Sequence, residues 1–377
     1  MRIADLPTPA LLLDRGRLAR NAERMRARAR ELSVALRVHV KTLKSIDVAN
    51  LAVDAGRAIA VSTLHEARYF LDRGFDDICY AVCLAPGKLA QILELVARAP
   101  RLSVFIDSVE LADRIAAAAR SRGARLNVWI EVDCGEHRTG VEPHSPALLA
   151  IAKRLGEAPS VSLLGVATHA GQAYACRDAA GARIVAEVER SAVVESAQRL
   201  RQAGFECPKV SVGSTPTALN AASLEGVTEI RAGVYLAQDL FQAAVGSCAE
   251  SDIALSVLAT VLSRDLARNR IVIDAGGLAL SKDRSTAATA HDSGYGLVLD
   301  ASGVPTLGRL VVSDVHQEHG EITGTTPLPF ERLPIGAQLR VLPNHACMTA
   351  AMYDRYHLVD GDSDEVVGTW PRTNGWD

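Results

Sequence analysis

The chain carries almost no net charge: 41 Lys and Arg stand against 44 Asp and Glu, leaving −3 over 377 residues. A strong field of one sign draws a protein to nucleic acid or to an anionic membrane, so neither partner is expected. Its seven cysteines are odd in number and irregularly spaced, which argues against a disulfide framework and fits a reducing compartment. No uncharged apolar run reaches the roughly 18 residues of a membrane span. The opening Met1-Arg2-Ile3-Ala4-Asp5-Leu6-Pro7 has no long apolar core of the signal-peptide kind. Internal repeats, low-complexity tracts and Pro-rich linkers are missing as well. What remains is a chain with 48% hydrophobic residues, enough for a packed core in one large domain or two. The expectation is a soluble, cytoplasmic protein.

Short β-branched runs at 35–40, 58–62, 78–82, 102–106, 126–132, 161–168, 210–212 and 227–231 alternate with Ala/Arg/Leu/Glu-rich segments. Segments 15–31 and 184–203 space their apolar residues three and four apart, the helical period. About eight strands alternating with helices over about 210 residues match a TIM-like (β/α)8 barrel. A doubly wound open sheet shares that alternation, because periodicity alone does not close a sheet. The barrel is favoured by where the polar residues fall. Beyond about residue 250, runs at 253–261, 270–274, 308–312 and 338–342 read as strands joined by Gly/Pro/Asp turns, without long helices. The expected division is a barrel over 14–248 and an appended C-terminal β domain over 249–377, which residues 1–13 can also join.

Catalytic groups of a barrel collect at the C-terminal ends of its strands, where the loops surround the open mouth. Lys41 follows the first predicted strand. Asp133-Cys134-Gly135-Glu136-His137-Arg138-Thr139-Gly140 follows the fifth, and Thr168-His169-Ala170-Gly171-Gln172-Ala173-Tyr174 ends the sixth. Gly213-Ser214-Thr215-Pro216-Thr217 follows the seventh, and Arg231-Ala232-Gly233-Val234-Tyr235 ends the eighth. Gly213-Ser214-Thr215 reads as an ordinary turn or as a phosphate cradle, with close-approaching backbone N–H groups and two hydroxyls; Gly233 adds a second close approach. Arg138 and Arg231 read as surface cations or as partners of ring heteroatoms. Lys41 reads as a solvated strand-end charge or, if desolvated and near other cations, as a nucleophilic amine. A lysine plus a phosphate cradle is the pair that pyridoxal 5′-phosphate requires. In the β domain, Asn344-His345-Ala346-Cys347 offers imidazole and thiolate, ligands suited to zinc. The bland alternative is a buried cysteine beside a hydrogen-bonded histidine.

Arg37-Val38-His39-Val40-Lys41-Thr42, Val132–Val141 and Val212-Gly213-Ser214-Thr215-Pro216-Thr217 resemble the alanine-racemase-like, fold-type III pyridoxal-phosphate enzymes. Within them the chain is similar to the branch of D-serine dehydratases and D-threonine aldolases, a likeness that runs nearly end to end. Val61-Ser62-Thr63-Leu64-His65-Glu66-Ala67 and Val128-Trp129-Ile130-Glu131 turn it toward members that dehydrate 3-hydroxyaspartate. The resemblance implies an α/β barrel with a β domain, a homodimer, pyridoxal 5′-phosphate and a divalent metal, zinc before manganese, cobalt or magnesium. By the same resemblance Lys41 forms the Schiff base, Arg138 approaches the phenolic oxygen, His169 packs against the ring, and Tyr174 lies over the substrate. Gly213, Ser214, Thr215, Gly233 and Tyr235 hold the phosphate, and Arg231 faces the pyridine nitrogen. Leu43 departs from the pattern, since many relatives carry His there.

The resemblance further implies a lyase acting on D-configured 3-hydroxy amino acids. Its aldolases pair the metal-binding histidine with a carboxylate and its dehydratases with a cysteine, so Cys347 beside His345 favours loss of water, giving a 2-oxo acid and ammonia. Retro-aldol cleavage to glycine and an aldehyde is the alternative, followed by a racemase or a non-catalytic cofactor carrier. D-Serine, D-threonine and 3-hydroxy-D-aspartate remain open as substrates. Glu318-His319-Gly320 reads as a solvated turn before it reads as a group reaching the substrate.

Overall fold

The computed structural model describes residues 1–361 and 363–376. By their contacts the residues form two compact units, Arg24–Gly233 with the chain from Thr373, and Met1–Glu23 with Val234–Arg372.

The first unit is built on eight parallel strands. After β1 (Ala10–Asp14) and α1 (Arg15–Glu31), β2 (Ala35–His39), β3 (Ile59–Val61), β4 (Ile78–Cys83), β5 (Ser103–Ile106), β6 (Leu126–Val132), β7 (Val161–Thr168), β8 (Lys209–Val212) and β9 (Glu229–Ala232) follow in order. The intervening helices are α2 (Ile46–Ala52), α3 (Leu64–Leu71), α4 (Leu89–Val96), α5 (Val109–Arg122), α6 (Pro146–Gly156), α7 (Ala179–Gln202) and α8 (Thr215–Asn220). β2 to β9 close on themselves. The closing pair is β2 with β9, in the register Ala35↔Glu229 to Val38↔Ala232, which excludes the open sheet.

The helices begin where side chains supply the acceptors that their first N–H groups need. Thr63 accepts from Glu66 N–H, Ser108 from Leu111 N–H and Ser145 from Ala147 N–H. α7 begins five residues before the expected start at 184, because Asp178 caps it by accepting from Gly181 N–H.

The barrel interior is layered. Ala60, Cys79, Phe105, Trp129 and Ala167 form one apolar cluster, with Trp129 Nε1 donating to Ser103 Oγ at 3.1 Å. Beside it the buried Arg37 donates to Glu229 Oε1 at 3.0 Å and to Asp77 Oδ1 at 2.7 Å. Burial alone would raise the Glu229 carboxyl, but the Arg37 guanidinium overrides it and holds the group below its ordinary value. Such a pair is costly to break one-sidedly, because the survivor is left as an unpaired buried charge.

The second unit is mainly antiparallel. It contains α9 (Leu240–Ala244), β10 (Leu255–Asp265), β11 (Arg270–Ile273), α10 (Gly277–Leu280), β12 (Leu297–Asp300), β13 (Leu310–Val311), β14 (Asp314–Val315), β15 (Gly320–Thr323), β16 (Gln338–Leu342), α11 (Ala346–Ala350), β17 (Arg355–Val359) and β18 (Gly368–Pro371). The main path runs β13-β12-β16-β10-β1-β17-β18, with β11, β14 and β15 branching from β10. The opening strand thus pairs within this unit, antiparallel to β10 and parallel to β17. Its core includes Ile3, Leu6, Ala10, Leu12, Leu258 and Val359. Expected strand 308–312 shortens to two residues, and β12, β14, β15, β17 and β18 were not anticipated. Glu318 and His319 are exposed in the turn between β14 and β15. Among the described residues no helix is long and apolar enough to cross a membrane.

Candidate active site

Lys41 stands two residues beyond β2, at the C-terminal mouth of the barrel, with its backbone N–H 3.5 Å from His39 Nδ1. It is exposed, so the desolvated setting that would make it a nucleophilic amine is not seen. The buried His39 ring is held well below the usual imidazole value by burial and then by Lys41, Arg231 and His169. Burial, Lys41 and Arg138 push His169 down to about 3. Both rings are therefore neutral at physiological pH. His169 donates its Nδ1–H to the Gly213 carbonyl, which fixes the tautomer, and its ring lies 6.3 Å from that of Tyr174. Tyr174 is half-buried in the 3-10 turn Gly171–Ala175.

Arg138 is carried by the loop that leaves β6. Asp133 staples this loop by accepting from Gly135 N–H at 2.8 Å and from His137 N–H at 3.1 Å. Asp107 holds the far end through Gly140 N–H at 3.1 Å. The Arg138 side chain is exposed, 3.4 Å from Glu136 Oε1. Arg231 is buried instead. It donates to Ser211 Oγ and, at 2.5 Å, to the Thr168 carbonyl, and its guanidinium lies 5.0 Å from the Phe105 ring centroid.

After β8, Ser214 caps α8, its Oγ accepting from Thr217 N–H at 3.2 Å. Thr215 is buried beside it. A Cβ on Gly213 would sit 2.3 Å from the Arg231 carbonyl oxygen, and one on Gly233 would sit 2.2 Å from that of His39. Only glycine lets these strand ends pack so closely. Lys41, Arg138, His169, Gly213, Ser214, Thr215, Arg231 and Gly233 all lie at the strand ends on the C-terminal side of the barrel. Tyr235, buried in the 3-10 turn Val234–Leu236, groups with the other unit. Three cations around two neutral imidazoles, with small-residue turns alongside, suit a planar anionic cofactor. The residues fit pyridoxal phosphate.

In the other unit, His345 precedes α11 and Cys347 lies in its first turn. His345 Nδ1 is 2.8 Å from Asp283 Oδ2, and Cys347 is the ring's other side-chain partner. Burial works against the imidazolium; Asp283, Cys347 and Asp239 overrule it and raise the ring to about 11. The hydrogen bond to His345 in turn outweighs burial and lowers Asp283 to about 2. A carboxylate on one ring nitrogen and a thiol as a further partner of the ring is a setting in which a metal can replace a proton, with the carboxylate orienting the ring. The donor chemistry fits a borderline metal such as zinc. Among the described residues no three His, Cys, Asp or Glu side chains are grouped so that they could hold a metal ion. None of the seven cysteines is in a disulfide.

Sequence reasoning missed Asp283, 62 residues from His345, and Glu189, a buried carboxylate in α7. Neither carries a local signal. His39 was within reach, since it sits in the strand that leads to Lys41.

The alanine racemase N-terminal domain family matches residues 13–239, and a putative serine dehydratase domain matches 254–359. The D-threo-3-hydroxyaspartate dehydratase of Delftia sp. strain HT23 is 45% identical, with 98% of each chain covered. The chain belongs to the alanine-racemase-like family of D-serine dehydratases and their relatives. The solved Delftia structure superposes with a TM-score of 0.95 at 43% identity, covering 100% of both chains. A cysteine-to-alanine variant of it, solved in a metal-free form, gives 0.95 at 42% identity, again over all of both chains; that description implies that the parent enzyme binds a metal. D-Serine dehydratase of Dictyostelium discoideum is 30% identical, over 99% of this chain and 98% of its own. D-Threonine aldolase of an Arthrobacter species is 30% identical, over 97% and 92%. The family is pyridoxal-phosphate-dependent.

Proposed function

We propose that the chain is a pyridoxal-phosphate- and metal-dependent lyase that removes water from a D-configured 3-hydroxy amino acid, first of all D-threo-3-hydroxyaspartate. The products are a 2-oxo acid and ammonia. The observation that carries this reading is His345 held between Asp283 and a thiol, Cys347, rather than between two carboxylates. The full-length likeness to the Delftia dehydratase supports the substrate class.

Bound at the barrel mouth, the cofactor would accept the electron pair left when the substrate's Cα–H bond breaks. Lys41 takes that proton on its amine. His169, neutral and tied to Gly213, presents a ring face without adding charge, and Tyr174 borders the substrate side. Arg138 would meet the phenolic oxygen and Arg231 the pyridine nitrogen. Gly213, Ser214, Thr215, Gly233 and Tyr235 would hold the phosphate. His345 and Cys347 would hold the metal, zinc before manganese, cobalt or magnesium, which would supply Lewis-acid polarisation of the β-hydroxyl. Departure of that hydroxyl with a proton yields water and an enamine, which hydrolyses to the 2-oxo acid and ammonia. Cysteines without disulfides fit a cytoplasmic location, and a homodimer is expected, to be checked by sedimentation.

The test is to incubate the zinc- and cofactor-loaded protein with D-threo-3-hydroxyaspartate and with D-threonine, and to assay all four products. Ammonia with 2-oxo acid is expected. Glycine with an aldehyde would replace this reading by the aldolase one.

A further inference from the structure

One carboxylate in the barrel unit has no role in the reaction just described. Glu189 lies in the buried stripe of α7 with Ala182, Ala186, Val193 and Ala197, where an apolar side chain is the default. It is 1% exposed. A carboxylate so placed costs free energy unless it is hydrogen-bonded. Its Oε1 accepts from Ala170 N–H at 3.0 Å and from Gly213 N–H at 3.0 Å, the residues that follow β7 and β8. The Gly213 peptides are thus gripped twice, by Glu189 at the N–H and by His169 at the carbonyl. The close approach to Arg231 removes the third freedom, that of carrying a side chain.

We propose that Glu189 is a positioning residue for the cofactor's phosphate turn. By joining Ala170 to Gly213 it sets the shape of Gly213-Ser214-Thr215 and the orientation of His169, which hydrogen-bonds to the same glycine. This rests on the reading of that turn as the phosphate site. The carboxylate acts here as a hydrogen-bond partner of two N–H groups and of the Thr217 side chain and not as a charge, since a negative charge behind the turn opposes a phosphate dianion. An amide oxygen can do the same work.

The experiment titrates the full-length apoprotein with pyridoxal phosphate and with pyridoxal, which lacks the phosphate. Wild type is compared with Glu189→Gln, Glu189→Asp and Glu189→Ala, and phosphorus NMR reports the bound cofactor. Aspartate is one methylene shorter and cannot span both N–H groups; alanine has no acceptor. Both variants should weaken pyridoxal phosphate by about 10- to 100-fold and shift its phosphorus resonance, while pyridoxal, which senses only the His169 ring, loses less. Glutamine should restore wild-type affinity and resonance. Wild-type phosphate affinity in the aspartate or alanine variant overturns the proposal, as does an equal loss for both ligands. If the alanine variant does not fold, the aspartate and glutamine variants decide the same question. A wild-type protein that binds pyridoxal as tightly as pyridoxal phosphate would instead remove the phosphate reading, before any variant is compared.

Discussion

His169 and His345 are the same side chain in opposite surroundings. In the barrel, burial, Lys41 and Arg138 hold His169 neutral down to about pH 3. In the β unit, Asp283, Cys347 and Asp239 hold His345 charged up to about pH 11. The first setting has cations that await an anion; the second has a carboxylate and a thiol that await a cation. An imidazole's neighbours bias what can bind beside it, and the contrast is consistent with the proposed cofactor site in one unit and the proposed metal site in the other.

The largest expected break in this contrast is Lys41→Ala. It should abolish the cofactor's lysine-linked absorbance and lower kcat on the order of a thousandfold or more. Unchanged absorbance would remove the lysine from its role. Lys44, three residues on, is the control: its ammonium pairs with the buried Glu66 at 3.0 Å, so Lys44→Met should lower Tm while the absorbance persists.

On the metal side, Cys347→Ala or chelation should remove turnover while the cofactor stays bound. Asp283→Asn should weaken metal binding by roughly 10- to 100-fold, measured by competition with a chromogenic chelator. Normal turnover in the chelated protein would separate the metal from the chemistry.

The last test concerns pH. The folded pKa of His169, about 3, lies below the ordinary value of 6.5, so the unfolded chain binds the extra proton between those limits. Folding stability therefore falls as pH drops from 6.5 toward 3, by at most about 1.4 kcal/mol per pH unit from this group. His169→Gln should flatten denaturation midpoints measured across that window. An unchanged slope would mean that His169 is not held neutral.

The barrel strands were legible because each is a short β-branched run, buried on both faces and bounded by helical segments. The β unit was less so. β17 pairs with an opening strand more than 300 residues away in sequence and β18 pairs with β17, and β13 and β14 are too short to show an alternation. The same distinction runs through the site. Lys41, Arg138, His169 and Ser214 sit in recognisable strand-end motifs. Glu189 looks like any surface glutamate in a charged helix until the buried side of α7 is known. Asp283 looks like a loop aspartate until it meets His345.

The amino-acid sequence by itself determined the alternation of strands and helices, the residue types at the strand ends, and the His-x-Cys pair, because these depend on neighbours a few positions away. Only the tertiary structure decided that the sheet closes, through β2 and β9, and which charges surround each imidazole. Those outcomes depend on register and burial. Groups tens to hundreds of residues apart come within hydrogen-bonding distance only when the chain packs, and the same burial then sets which of them carry charge.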